Sequence, residues 1–185
     1  MLLKKLLLVL FAALALLAQP LAAEVNKLTV WFSPDGGCTE TISRQLAKAR
    51  SSILVQAYSF TSAPIAKALV DAHQRGVRVQ VILDKSQRSE KYSSADFLLH
   101  AGIPTFIDAK HAIAHNKIII MDGSSVFTGS FNFTKAAEQS NAENLILIQN
   151  PAIAAQYIRN WNDHREHAEP YTGKTEPVAK PRKRK

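Results

Sequence analysis

Apolar and polar positions along the chain follow two different periodicities. Short apolar runs rich in β-branched residues, at 28–32, 52–59 and 78–83, are typical of strands. Residues 39–49 instead repeat apolar positions with the spacing of a helix. The repeated strand–helix–strand order predicts an α/β chain in which part of the sheet is parallel.

A second helix is predicted after the strand at 52–59, and its ends carry clear signals. Ser62 is a residue type that caps helices, Pro64 suits the first helical turn, and Gly76 favours termination. Residues 84–94 are polar, so we expect an exposed loop of the kind that often borders a site, before a short helix around 97–100.

The second half of the chain begins with a predicted hairpin. Residues 117–121 and 125–129 have strand patterns, and the pair Asp122-Gly123 between them favours a tight turn. A strand at 145–149 and a closing helix from 151 to about 166 follow. The whole pattern predicts an α/β sandwich with one mixed, partly parallel sheet flanked by helices.

The first residues have the pattern of a secretory signal peptide. Lys4 and Lys5 precede an unbroken apolar run at 6–18, and a small-residue stretch ends at Ala23. Because a membrane span needs ~20 apolar residues, we expect cleavage after Ala23, with an uncleaved anchor as the alternative. The chain is therefore expected to be periplasmic or secreted, with a signal peptide at 1–23, a folded domain at 24–172 and a tail at 173–185.

The net charge of +8 is concentrated at the two ends of the chain. The leader contributes two positive charges and residues 173–185 contribute a net five, which leaves one for the body. The tail is rich in Pro, Lys and Arg and is expected to be disordered. It is either a solvated extension or an electrostatic tether for an anionic polymer or lipid surface.

Several kinds of chemistry find no support in the residue patterns. Cys38 is the sole cysteine, so an intramolecular disulfide is excluded, and its turn-rich surroundings indicate an incidental thiol. The residues around Ser130 lack the G-x-S-x-G elbow of serine hydrolases. With no H-E-x-x-H motif, cysteine cluster or group of carboxylates at ligand spacing, we expect no metal, no cofactor, and activity in the presence of a chelator.

His115 differs from the other five histidines because of the residues around it. It is predicted to open a strand, and Lys117 follows two residues later, so both side chains share one face of the sheet. Ile118 and Ile120 then face the other way, into the core. An imidazole beside an ammonium group suits phosphate chemistry, because the imidazole titrates near neutral pH and the cation stabilises negative oxygens.

The residues from His115 onward resemble the motif of the phospholipase D superfamily. The sequence His115-Asn116-Lys117 is followed after four residues by Asp122, and after six more by Gly129-Ser130-Phe131-Asn132. The flanking residues at 57–61 and 133–138 are similar to the single-motif branch that includes small periplasmic bacterial endonucleases. The resemblance covers nearly the whole body of the chain and implies the superfamily fold.

The resemblance implies a covalent mechanism. His115 would attack phosphorus to give a phosphohistidine, which water then hydrolyses. Lys117 would hold the nonbridging oxygens as a point charge, and Ser130 and Asn132 would donate hydrogen bonds beside it.

Three further residues receive supporting roles. Glu143 resembles the family carboxylate that orients the nucleophilic histidine. Asp122 is expected about 23 Å from His115 along the strand and is interpreted as the turn residue of the hairpin. Gly129 is interpreted as a structural glycine of the motif.

The chain carries a single H-x-K motif, which is half of what a site with two imidazoles needs. Superfamily members with two motifs bring two histidines together in one chain. The resemblance therefore implies a symmetric homodimer that shares one active site and pools two copies of His115. His111, four residues earlier, is the alternative source of a second imidazole.

The implied activity is hydrolysis of phosphodiester bonds. A non-specific endonuclease acting on DNA, or on RNA, is the preferred interpretation, because a phosphate-centred site contacts what every nucleotide shares. A phospholipase D acting on phosphatidylcholine or cardiolipin is the alternative, since the same residues cleave a headgroup ester. An inactive protein that binds nucleic acid or membranes is a remote third interpretation.

Overall fold

The computed structural model describes residues 27–174. The strands are β1 Lys27–Ser33, β2 Ser52–Ala57, β3 Arg78–Asp84, β4 Thr105–Asp108, β5 Lys117–Met121, β6 Ser125–Gly129, β7 Glu143–Gln149 and β8 Glu169–Pro170. The helices are α1 Cys38–Leu46, α2 Ala63–Gln74, α3 Ala95–His100, α4 Lys135–Gln139 and α5 Pro151–His167, with a 3₁₀ helix at Lys85–Arg88. Within this part of the chain, no helix combines the length and the hydropathy needed to cross a membrane. The predicted signal peptide and residues 175–185 of the predicted tail lie outside the described residues.

All of these strands belong to one mixed sheet in the order β1-β7-β6-β5-β2-β3-β4-β8. Strands β2, β3 and β4 are parallel to one another, and the other neighbouring pairs are antiparallel. The predicted α/β fold with a partly parallel sheet is confirmed. Strands β4 and β8 and helix α4 were not predicted, because four and two residues are too few to show a strand alternation and five are too few to show a helical repeat.

Apolar side chains fill both faces of the sheet. A large cluster on one face includes residues of α1, α2 and α3, while α5 covers a smaller cluster around Trp161 on the other face. Strand β5 divides its residues between the two clusters: Ile118 and Ile120 belong to the smaller one and Ile119 to the larger one. The predicted alternation is therefore present, and it turns Lys117 toward the face that carries the larger cluster.

The segment 84–94 is only partly the exposed loop that its polarity predicted. Asp84 and Gln87 are buried at 3% exposure each. The Asp84 carboxylate accepts a hydrogen bond from the Ala114 N–H at 2.8 Å, and the Gln87 side-chain oxygen accepts one from the Phe60 N–H at 3.3 Å. Both polar side chains are buried while satisfying backbone donors. Gln87 anchors the loop to the segment that follows β2, and Asp84 anchors its start to the segment that precedes β5.

Helix α2 begins and ends close to the predicted positions. Ser62 occupies the N-cap and Pro64 the first turn, although the Ser62 side chain makes no capping hydrogen bond. Gly76 follows the helix with φ 89°, a backbone conformation that favours glycine. Helix α1 begins at Cys38 itself, whose side chain is fully buried in the larger cluster.

Candidate active site

The predicted site residues come from strand ends that meet at one edge of the sheet. Lys117 begins β5 and pairs with Ala57, which ends β2, while Gly129 ends β6. Glu143 begins β7 and pairs with Ser33, which ends β1. Antiparallel neighbours place the end of one strand beside the start of the next, so this edge gathers residues that are far apart in the sequence.

His115 lies two residues before β5, whereas the sequence pattern predicted that it opens the strand. The pairing with β2 nevertheless continues beyond the strand, because the Tyr58 N–H donates to the Asn116 carbonyl at 2.8 Å. The Lys117 ammonium nitrogen lies 3.0 Å from Nδ1 and 3.3 Å from Nε2 of His115, and it donates to the His115 carbonyl at 3.0 Å. The structure therefore brings the predicted imidazole and cation into direct contact.

The surroundings of Lys117 weaken its hold on the proton. Burial lowers the pKa of the Lys117 ammonium below its ordinary value, and the negative charge of Glu143 acts in the opposite direction. The ammonium lies 5.1 Å from the ring centre of Tyr58, and that ring packs 4.5 Å from the His115 imidazole. Sequence reasoning assigned no role to Tyr58. Its position directly after a buried strand, at the edge where β5 begins, is the signal that could have identified it.

Two predicted phosphate binders follow β6. The Ser130 hydroxyl oxygen accepts hydrogen bonds from the backbone N–H and the side-chain amide of Asn144, at 3.0 and 3.4 Å. The hydroxyl hydrogen of Ser130 is therefore free to be donated to a phosphate oxygen. The side-chain oxygen of Asn132 is buried and has no hydrogen-bond partner within residues 27–174. This oxygen only accepts hydrogen bonds, as do the nonbridging oxygens of a phosphodiester, so the amide nitrogen of Asn132 is the atom that can donate to a phosphate.

Gly129 is required by the close approach of β6 to β7. Its φ is 136°, a region open to glycine, and an added Cβ would lie 2.4 Å from the Asn144 carbonyl oxygen. The same carbonyl accepts the N–H groups of Ser130 and Phe131, each at 3.1 Å. Gly129 thus lets Asn144 fix the backbone that carries Ser130, and Asn144 is a positioning residue that sequence reasoning missed.

Glu143 lies on the same edge, but its predicted contact is not made. Its carboxylate accepts a hydrogen bond from the Asn141 side-chain amide at 3.2 Å. Among residues 27–174, no hydrogen bond joins Glu143 to His115. The predicted orienting role of Glu143 therefore stays a prediction, and the effect of its charge on Lys117 is the link that the geometry provides.

Asp122 lies at the far end of β5 from Lys117, in the turn of the β5–β6 hairpin, as predicted. Its carboxylate accepts hydrogen bonds from the backbone N–H groups of Arg50, Ser51 and Ser52 and from the Ser51 hydroxyl, at 2.8 to 3.2 Å. Burial opposes ionisation, but these hydrogen bonds hold the pKa of the Asp122 carboxyl below its ordinary value. The carboxylate fastens the hairpin to the start of β2.

His111, the alternative source of a second imidazole, contacts residues other than His115. Its Nδ1 lies 2.9 Å from a carboxylate oxygen of Asp108, and its ring packs 4.7 Å from that of His164 on α5. No ring contact between His111 and His115 occurs within residues 27–174. The geometry does not favour His111 as a catalytic partner of His115.

Comparisons with known proteins agree with this arrangement. The family described as cardiolipin synthase, PLD-like domain, matches residues 42–165. A protein named phospholipase D from Rickettsia conorii is 46% identical over 136 residues, which is 74% of this chain and 68% of the relative. A mitochondrial cardiolipin hydrolase from Xenopus laevis is 34% identical over 128 residues, which is 69% of this chain and 61% of the relative.

Two solved structures have the same fold. Nuc from Salmonella typhimurium, described as a phospholipase D family member, matches with a TM-score of 0.76 and 38% identity over 79% of this chain and 98% of its own. NucT from Helicobacter pylori matches with a TM-score of 0.74 and 24% identity over 79% of this chain and 99% of its own, which supports the fold. The domain of this chain thus has nearly the same extent as both of those proteins.

Proposed function

Since the chain belongs to the phospholipase D superfamily, as its motif predicted, we propose that it is a phosphodiester hydrolase that works through His115. The contact between Lys117 and both ring nitrogens of His115, at 3.0 and 3.3 Å, is the observation that carries this proposal. A buried cation beside a nucleophile suits a phosphodiester, whose single negative charge is shared by two nonbridging oxygens.

The proposed reaction has two balanced steps. In the first, a ring nitrogen of His115 forms a bond to phosphorus, the bond to the leaving oxygen breaks, and that oxygen takes a proton from a second imidazole. In the second step, water attacks phosphorus, gives its proton to the same second imidazole, and releases His115 as the phosphorus–nitrogen bond breaks. Neither step uses a metal ion.

Three side chains would bind the phosphate during both steps. Lys117 neutralises the nonbridging oxygens, the free hydroxyl hydrogen of Ser130 is donated to one of them, and the amide nitrogen of Asn132 donates beside it. Burial lowers the pKa of Lys117. The negative charge of a bound phosphate favours the protonated amine, and the protonated amine in turn contacts the phosphate more strongly.

We propose that Glu143 orients His115 once substrate or a second chain is bound. A carboxylate on an imidazole controls which nitrogen is free to attack, and its replacement by an amide has a large effect on turnover. Glu143→Gln should lower kcat at least about 100-fold with KM nearly unchanged. The matched control is Glu40→Gln, a glutamate on the exposed surface of α1. Normal turnover of Glu143→Gln would refute the role.

We propose that the second imidazole is His115 of another copy of the chain. Strand β1 is an outer strand that ends beside Glu143, and it exposes Leu28, Val30 and Phe32 by 63, 39 and 67%. A row of exposed apolar side chains next to an incomplete site suits a second copy as the occupant.

Mixed dimers provide the test of the shared site. Wild-type and His115→Ala chains are unfolded together in equal amounts, refolded, and assayed at constant total protein. If one site pools both imidazoles, mixed dimers are inactive and activity falls to about one quarter of the wild-type value. Independent sites would retain about one half. Light scattering that finds an active monomer would also contradict the dimer.

We propose nucleic acid as the substrate, cleaved without sequence specificity. The loop at 84–94 borders the site, since its Ser94 N–H donates to the Phe60 carbonyl just beyond β2. It carries Lys91 beside the exposed ring of Tyr92, with 5.2 Å between the ammonium and the ring centre. Cations alternating with an exposed aromatic ring suit phosphates and stacked bases.

A phospholipid substrate is the second candidate, and a different observation favours it. An apolar cleft between α2 and α3 is lined by Ala63, Pro64 and Ala66, with the exposed rings of Tyr92 and Phe97 at its rim. Such a surface suits an acyl chain. The relative from Rickettsia conorii is named phospholipase D, in agreement with this alternative.

Parallel assays in excess EDTA separate the two substrates. Wild type, His115→Ala and the control His100→Ala are each incubated with supercoiled plasmid and with vesicles of phosphatidylcholine or cardiolipin. Nicked and linear DNA from wild type and the control, but not from His115→Ala, would support the nuclease. Intact DNA with hydrolysed lipid would assign the phospholipase. If the wild-type protein cleaves neither substrate, the proposed function is refuted.

We also propose that the protein acts outside the cytoplasm and that its basic tail strengthens binding to an anionic polymer. The apolar run at 6–18 and the six basic residues after position 173 support these proposals. Cell fractionation should recover the protein from the periplasm or medium. Truncation at Gly173 should flatten the dependence of DNA affinity on salt, and an unchanged salt dependence would contradict the tail's role.

A further inference from the structure

Three histidines and one aspartate form a second cluster of polar side chains, separate from His115. Asp108 ends β4, His111 follows it, and His164 and His167 lie in the last turn of α5. One ligand-type atom from each of the four residues lies within 4.8 Å of every other. The cluster therefore joins two segments, 108–111 and 164–167, that the sequence separates by more than fifty residues.

The three imidazoles converge on a single oxygen of Asp108. Oδ2 of Asp108 lies 2.9 Å from Nδ1 of His111, 2.7 Å from Nδ1 of His164 and 3.3 Å from Nε2 of His167. The three rings pack against one another with centre distances of 4.7 to 5.5 Å. Nε2 of His167 is buried but makes no hydrogen bond with acceptable geometry within residues 27–174. This nitrogen is aimed into the cluster without a partner.

The second carboxylate oxygen of Asp108 is held by the backbone. Its Oδ1 accepts hydrogen bonds from the N–H groups of Lys110 and His111 at 3.1 and 3.4 Å. The Asp108 side chain is fully buried, whereas those of His164 and His167 are 14 and 21% exposed. One carboxylate oxygen is thus fixed by outer contacts and the other faces the imidazoles, which is the arrangement of a metal-binding carboxylate.

We propose that Asp108, His111, His164 and His167 form a binding site for a divalent transition metal ion, with Zn²⁺ as the ion that fits best. Three imidazole nitrogens and one carboxylate oxygen are a ligand set that zinc accepts. A tetrahedron with bonds of ~2.0–2.1 Å has edges of about 3.3 Å. The Asp108 oxygen lies 2.7 to 3.3 Å from the three imidazole nitrogens, and all four atoms lie within 4.8 Å of one another. The open cleft beside the cluster carries two carboxylates, Asp163 and Glu166, against one ammonium group, Lys110, so its net charge attracts a cation.

The role of this site is structural. Four protein ligands complete the tetrahedron and leave no position for a substrate, so the site does not enter the chemistry at His115. The ion would tie the last turn of α5 to β4 and to the segment that leads into His115. This proposal departs from the expectation, drawn from sequence motifs, that no metal is bound.

Metal titration of the purified protein tests the proposal. The protein is stripped with a chelator, returned to chelator-free buffer, and titrated with Zn²⁺ by calorimetry and with Co²⁺ by visible absorption. We expect about one ion per chain and the absorption of a tetrahedral cobalt complex. Zinc at about 100 times its Kd should raise the unfolding midpoint by about 5 to 10 °C.

Variants assign the ion to the cluster. His111→Gln, at a side chain that is 44% exposed, and the double variant His164→Gln/His167→Gln should each lower zinc affinity at least about 100-fold and abolish the thermal shift. The controls are His100→Gln, an exposed histidine on α3, and His115→Ala, and both should bind zinc as wild type does. Circular dichroism checks that each variant is folded.

Two results would overturn the proposal. The first is a folded wild-type protein that binds no zinc at stoichiometric amounts. The second is binding that survives in His111→Gln but disappears in His115→Ala, which would assign the ion to the active site. Because all readouts are binding and stability, failure here is distinguishable from failure of the proposed hydrolase.

Discussion

Asp122 belongs to the catalytic motif by sequence, yet its contacts predict that it acts on stability. It lies five residues beyond Lys117 at the other end of β5, about 16 Å away at ~3.3 Å per residue. Its carboxylate accepts from Arg50 and Ser51, which precede the adjacent strand β2, and from Ser52, which begins it. Asp122→Asn should therefore destabilise the fold and leave the chemistry of each folded molecule intact.

The size of the effect follows from the hydrogen bonds. An amide keeps one acceptor oxygen. Asp122→Asn therefore retains the hydrogen bonds to one of the two oxygens, now without the negative charge, and loses the 3.0 Å hydrogen bond from the Arg50 N–H to the other oxygen. Charge-assisted hydrogen bonds contribute about 1.5–3 kcal/mol and neutral ones about 0.5–1.5 kcal/mol. Since the donors are partly exposed, we expect a loss of about 2 kcal/mol, or about 4 to 8 °C in Tm for a domain of this size.

The pH dependence supplies a second signature. Although burial opposes it, hydrogen bonding from Ser51, Ser52 and Arg50 holds the pKa of Asp122 below its ordinary value of ~3.9. Its contribution to stability is therefore complete above about pH 4 and is lost as the pH falls through the lower, folded-state pKa. The difference in stability between wild type and Asp122→Asn should close on acidification.

Urea unfolding at a fixed protein concentration, repeated from neutral to acidic pH, measures both signatures. Turnover per folded molecule is measured on the same samples, at a temperature well below either midpoint. A variant with the wild-type midpoint would contradict the hydrogen-bond argument. A fully folded variant with turnover reduced more than about tenfold would show that Asp122 acts in the chemistry.

Three further predictions concern the packing. Gly129→Ala should lower the free energy of unfolding by about 3 kcal/mol or more, because the added Cβ meets the Asn144 carbonyl and φ is positive. A thermal scan in which Tm hardly changes would contradict this prediction. The Cys38 thiol should resist a thiol-specific reagent in the native protein and react on unfolding. The reason is that burial raises the pKa of the thiol to about 11, with the charge of nearby Glu138 as a smaller cause. Rapid labelling of the native protein would refute this prediction. Trp161→Phe should lower the free energy of unfolding by about 1–2 kcal/mol, because the indole N–H donates to a buried carbonyl at 3.0 Å. An unchanged midpoint of urea unfolding would argue against that hydrogen bond.

The hairpin and the motif were predictable from sequence because their signals are local. Period-two alternation assigned the facing of β5, and the Asp122-Gly123 pair located the turn. The contact between His115 and Lys117 follows from a spacing of two residues. Each of these features needs no knowledge of which strands become neighbours.

The features that sequence reasoning missed depend on the order of strands in the sheet. Tyr58 joins the site because β2 is the neighbour of β5, and Asn144 does so because β7 is the neighbour of β6. The cluster around Asp108 forms because α5 returns to the end of β4, where the paired spacings from Asp108 to His111 and from His164 to His167 come together. The two spacings of three residues are visible in the sequence, but the sequence does not show that the two pairs lie next to each other in the fold.

Strand β1 has consequences for how the molecule reaches its folded state. Its partner β7 lies about 110 residues further along the chain, so the first strand to be synthesised waits for nearly the last. Closing so long a loop carries an entropic cost that local hairpins avoid, which makes this pairing a late event in folding. We expect the turn after β6 that carries Ser130 to form before the outer edge of the sheet closes, and Ser33 to reach Glu143 at the end of the process.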